Sequence, residues 1–134
     1  MSFTHRNLRG DVDDVAGNFD GDPGLEFRLA TTALGLEHSG LGYQRVPPGY
    51  RFPYGHVHRM QEEVYVVTGG SGRMKIDDEI IELVPWDAVR VAAGAWRGYE
   101  AGPDGLELIV IGAPNLAADP RADVEGRRDW WTGP

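Results

Sequence analysis

Two histidines separated by a single residue, His56 and His58, and a glutamate shortly after them, Glu63, are the side chains whose types and spacing most favour chemistry. They lie in the run His56-Val57-His58-Arg59-Met60-Gln61-Glu62-Glu63-Val64-Tyr65-Val66-Val67-Thr68-Gly69-Gly70. Side chains of a strand alternate faces, so imidazoles two positions apart point to the same side. After a short turn, Glu63, Tyr65 and Val67 would share one face of the next strand, which lets a carboxylate meet both imidazoles. Two histidines and one carboxylate with open positions form a facial set suited to Fe(II), and close variants suit Mn, Ni, Co or Zn. A His-x-His pair by itself reads more readily as two histidines on a wet strand face. Glu63 is what turns the reading inward, whereas Glu62, on the opposite face, is expected in solvent.

The rest of the composition narrows the chemistry. There is no cysteine, so thiolate metal sites, disulfides and cysteine nucleophiles are excluded, and any metal must sit on nitrogen and oxygen. A formal net charge of −8 and a pI near 4.8, with no Lys/Arg cluster, exclude nucleic acid as a partner. Mostly polar and charged residues follow Met1 as far as Asp14, with no apolar stretch of the kind a signal peptide or membrane span needs. The expectation is cytoplasmic residence with no membrane contact.

At 134 residues the chain has the length of one domain. Residues 1–24, rich in Asp, Gly and Asn and ending in the turn Gly21-Asp22-Pro23-Gly24, read as an irregular N-terminal arm. Eight strand-length runs follow: 25–30, 41–46, 52–58, 64–68, 73–76, 80–84, 88–92 and 106–111. Turn signals separate them, including Pro47-Pro48-Gly49, Gly69-Gly70-Ser71-Gly72, Asp77-Asp78 and Gly102-Pro103-Asp104-Gly105. This spacing predicts an all-β sandwich or barrel over 25–113, with one or two helical turns at most over 31–36. The tail, 114–134, carries Trp130-Trp131, whose indoles are expected to pack on the barrel or a neighbouring subunit, or alternatively to lid the barrel mouth.

The residues from 40 to 112 resemble the small single-domain cupins. In the first cupin motif a Gly precedes a His-x-His pair, a Glu follows, and a second Gly closes the run; Gly49, His56, His58, Glu63 and Gly70 fit that order, with one residue in excess between Gly49 and His56. The resemblance implies a double-stranded β-helix, or jelly-roll, barrel with His56, His58 and Glu63 as metal ligands inside it. In the second motif Asp87 and Gly94 align, but Arg97 holds the position where the family usually carries its fourth ligand, a histidine, and no histidine follows His58. Trp86 stands where a glycine is usual, which hints at subunit packing.

Arginine cannot ligate a metal, because its guanidinium stays protonated and only donates. If Arg97 points inward it would repel a cation and pair readily with Glu63, since two unit charges about 4 Å apart interact by roughly 4 kcal/mol at an effective dielectric near 20. If it points outward, the three-ligand site is undisturbed. Two functions follow. One is a metal-dependent enzyme, a dioxygenase, isomerase or decarboxylase, with Fe, Mn, Zn or Ni on His56, His58 and Glu63, no organic cofactor, and Arg97, Tyr65 or Tyr99 as candidate catalytic groups. The other is a metal-free barrel in which Arg97 and the histidines hold a small anionic ligand without catalysis. Edge strands that need covering predict a homodimer.

Overall fold

The computed structural model describes residues 2–18, 24–116 and 118–132; most of the Gly21-Asp22-Pro23-Gly24 turn therefore lies outside the described residues. Among the described residues eight strands form one curled antiparallel sheet: β1 (Glu26–Leu29), β2 (Gly40–Val46), β3 (Tyr54–His58), β4 (Glu62–Ile76), β5 (Glu79–Leu83), β6 (Ala88–Val91), β7 (Arg97–Ala113) and β8 (Val124–Arg128). One turn of α-helix, α1 (Thr31–Leu34), is closed by Gly35 in the left-handed conformation.

The register shows how this sheet folds over itself. Residues 106–113 of β7 lie between β2 and residues 62–70 of β4, and β4 there also carries β6; with β1 beside β2, one wall runs β1-β2-β7-β4-β6. Residues 97–101 of β7 pair with residues 72–76 of β4, which carry β5, while β3 and β8 flank the other side, so the second wall runs β8-β3-β7-β4-β5. The two longest strands belong to both walls, which is the jelly-roll arrangement that the resemblance implies.

Two expected turns are corrected here. Gly69-Gly70-Ser71-Gly72 and Gly102-Pro103-Asp104-Gly105 do not end strands. They face each other across the β4–β7 pair, where the register jumps at Val67/Gly69 and again at Gly70/Gly72. These are the corners at which both strands pass from one wall to the other. Gly70 has φ +70°, and a Cβ there would overlap the carbonyl oxygen of Gly105, itself at φ +80°. The expected run 106–111 is thus only the second half of a longer strand.

The core fills the space between the walls, with Tyr65, Val67, Met74, Leu83, Leu106 and Leu108 among its most buried members. The arm is tied down as well: Asp14 bridges Arg28, Val12 and Ala16 are buried, and Arg9 pairs with Glu26 at 2.9 Å.

The tail docks on the outside of the second wall. Its strand β8 pairs along the whole of β3, which the sequence does not announce because all five residues, Val-Glu-Gly-Arg-Arg, are exposed and show no apolar alternation. Trp130 covers Gly55 and Gly98, where a Cβ would stand 2.5 Å from the ring, and its indole N–H donates to the Lys75 carbonyl at 3.1 Å. Arg51 and Arg73 lie 4.6 and 5.7 Å from the ring of Trp131. The tryptophans pack; they do not lid the mouth.

Candidate metal centre

Strand alternation places the site. In β3, Gly55 faces outward under Trp130, so His56 and His58 face the interior. In β7, outward Gly98 likewise separates inward Arg97 and Tyr99, and His56 is the register partner of Arg97. Glu63 and Tyr65 come from β4 in the opposite wall. Imidazoles from one wall therefore meet a carboxylate from the other.

The Nε2 atoms of His56 and His58 lie 3.7 and 3.2 Å from Glu63 Oε1, and one donor atom from each residue falls within 4.8 Å of the others. Two ligands each about 2.1 Å from one ion can stand no more than about 4.2 Å apart, so both contacts to Glu63 are compatible with a shared ion. Two nitrogens and one oxygen, with no sulfur, suit Fe(II), Mn, Ni or Zn. Among the described residues no other group of three such side chains comes this close. His56 has 30% of its side chain exposed and marks the side open to solvent, while His58 and Glu63 are largely enclosed.

The electrostatics follow from this enclosure. Burial pulls the His56 imidazole below its usual range, and the neighbouring Arg97 charge adds to the effect. Burial acts the same way on His58, but Glu63 and Asp123 outweigh it and hold that imidazole above its usual range. For Glu63 burial acts upward, yet contacts with His56, His58 and the Tyr65 hydroxyl prevail, so the carboxyl stays well below the ordinary range. Tyr65 donates its hydroxyl to Glu63 at 2.7 Å, and burial followed by the Glu63 charge holds its phenol well above the usual value.

Arg97 points inward and is fully buried, with its three side-chain nitrogens lacking any hydrogen-bond partner among the described residues. The expected pairing with Glu63 is not formed: that carboxylate already accepts from Tyr65 and faces both imidazoles. A buried guanidinium without an acceptor is costly, by several kcal/mol, and marks a place where an anion would be stabilised. Tyr99 donates its hydroxyl to Gln44 and packs edge-on against Phe52 and Tyr65, which gives it a structural occupation. Trp96 stacks on Trp130 outside the barrel, and Glu62 pairs with Arg90 at the surface, as expected of a solvent-facing residue.

Asp123 was not visible from the sequence. It lies between the short 3-10 turn Pro120–Ala122 and β8, is 3% exposed, and places Oδ2 2.8 Å from His58 Nδ1. No periodicity leads to it, since 65 residues separate it from its partner and the strand that follows it is exposed along its length.

The family model "Cupin domain" matches residues 42–112. No curated protein matches the chain. Among solved structures, a cupin protein from Bacteroides fragilis is 22% identical, with a TM-score of 0.69 over 87% of this chain and 88% of that one. KdgF from Halomonas sp. is 18% identical, with a TM-score of 0.66 over 87% and 94% of the two chains. A Streptomyces Pac13 variant crystallised with uridine is 13% identical, with a TM-score of 0.72 over 96% and 93%, and Pac13 is described as a nucleoside dehydratase. At these identities the likeness is one of fold.

Proposed function

The chain belongs to the cupin domain family, and from that membership together with the geometry of the interior we propose that it is a metal-dependent enzyme acting on a small polar organic substrate that carries an anionic group. The observation that carries the reading is the convergence of His56, His58 and Glu63 from facing walls beside the unpaired guanidinium of Arg97. A divalent ion there would act as a Lewis acid toward a substrate oxygen and stabilise negative charge that develops on it. Tyr65 holds the Glu63 carboxylate in orientation through its hydroxyl. Arg97 offers a planar fork of donors matched to a carboxylate or phosphate. Because that fork is sealed from solvent, an anion reaches it only when a neighbouring side chain shifts, so slow association is expected.

A second reading is favoured by one observation. Arg97 occupies the interior as a fixed cation, which suits a barrel that binds an anion without metal and makes or breaks no bond. Elemental analysis of protein purified without chelator decides between them. We expect about one equivalent of metal in wild type and none in His58→Ala. Metal absent from wild type but gained by Arg97→His would establish the metal-free reading instead. The same proposal takes the protein as a cytoplasmic homodimer; the exposed apolar side chains Ile80, Val84 and Trp86, the last 77% exposed, support self-association.

A further inference from the structure

Asp123 directs both carboxylate oxygens and its carbonyl at the end of β3 and the link to β4, the two strands that carry the candidate ligands. Oδ2 lies 2.8 Å from His58 Nδ1, Oδ1 accepts the Met60 N–H at 2.6 Å, and its carbonyl accepts the Arg59 N–H at 2.8 Å. The neighbouring Ala122 carbonyl accepts Arg59 Nη1 at 3.0 Å. A carboxylate ionised by these contacts can only accept, so the ring nitrogen facing it must bear the hydrogen. In a neutral imidazole this leaves Nε2 as the lone-pair atom, and Nε2 is the atom turned toward Glu63 at 3.2 Å. A lone pair and a carboxylate at that distance repel each other unless a proton or a metal ion lies between them, and above the titration of the imidazole the metal ion takes that place.

We propose that Asp123 is a positioning residue which fixes His58 as the Nδ1–H tautomer, presents Nε2 to the metal, and thereby couples seating of the segment 120–128 to metal binding. The metal half rests on the reading under Proposed function; the tautomer half does not. Carboxylates behind ligating histidines have this effect generally, and their loss costs 10–100-fold in metal affinity. Here the carboxylate belongs to a segment outside the matched domain, residues 42–112, so a peripheral strand takes part in the centre.

The test compares wild type with Asp123→Asn, Asp123→Ala and, as conservative rescue, Asp123→Glu in the full chain. Nitrogen-15 spectra of the metal-free protein at alkaline pH report the His58 tautomer, competition titration with Zn²⁺ reports affinity, and circular dichroism verifies folding. Asn retains the shape of Asp and serves if the Ala variant fails to fold. The expected result is an Nδ1–H tautomer in wild type, a mixed or Nε2–H tautomer in Asn and Ala, Zn²⁺ affinity lowered about 10–100-fold in both, and partial recovery in Glu. Zn²⁺ should also slow amide exchange over 124–128 in wild type and not in Asp123→Asn. An Nε2–H tautomer in wild type overturns the proposal, and so does an Asn variant that binds Zn²⁺ within twofold of wild type. A wild type that shows the Nδ1–H tautomer yet takes up no metal overturns the metal-dependent function and the coupling, and supports the positioning of His58.

Discussion

His56, His58 and Glu63 were legible as a group because strand alternation is a strict rule: two imidazoles separated by one residue share a face, and the interior is the face that a carboxylate on the next strand can reach. The direction of Arg97 was not fixed by the same rule, since its strand begins at that residue and nothing before it sets the phase. A buried, unpartnered cation should be a burden on the fold that function retains. Arg97→Met, similar in length and apolar, is therefore expected to raise the stability of the metal-free protein by about 1–4 kcal/mol and to abolish anion binding. Urea unfolding and calorimetry with small carboxylates would measure the two effects. A loss of stability would show that the guanidinium has an acceptor in solution.

At the scale of elements, apolar runs located β1 to β6 and the second half of β7, because one face of each of these strands meets the core; residues 97–101 of β7 and the whole of β8 were not located. They failed where backbone geometry, not side-chain burial, decides the structure. The glycine-rich segments at 69–72 and 102–105 have the composition of turns and serve as corners instead; both need positive φ and close backbone approach, and composition cannot separate the two uses. Substitution can. Gly70→Ala must strain a left-handed residue and push Cβ into the Gly105 carbonyl, and should cost about 3 kcal/mol or more. Gly94→Ala, also at positive φ but with nothing within 4 Å of a Cβ, should cost only about 1 kcal/mol. Chemical denaturation of the pair isolates the close approach from the dihedral. Trp130→Ala, which uncovers Gly55 and Gly98, is expected to destabilise by about 3–5 kcal/mol in the same assay.

For the whole molecule, charge governs the pH range of stability. Glu26, beside Arg9 and Arg28, and Glu100, beside Arg51 and Arg73, both have carboxyls held below the ordinary range, first by hydrogen bonds from those arginines. Each therefore contributes stability that is complete above the unfolded-state value, near about 4.3, and is lost as pH falls through the lower folded-state value. Thermal unfolding followed from about pH 6 to pH 3 should show a falling midpoint, with a shallower fall in Glu26→Gln. A slope unchanged in that variant would remove Glu26 from the account. The proposed homodimer is checked by solution scattering: wild type should have the mass of two chains, and Trp86→Ser should shift it toward one.

The pairing of β3 with β8 has a bearing on how the protein is made. His58 leaves the ribosome 65 residues ahead of Asp123, an interval of about 3–13 s at ordinary rates of synthesis. For most of that interval, once Glu63 has followed, the nascent chain holds both histidines and the glutamate while the margin of β3 that β8 will cover has nothing alongside it. Under the proposed coupling, an ion captured early would meet a loosely held imidazole, and maturation of the centre would wait on the arrival of the last strand.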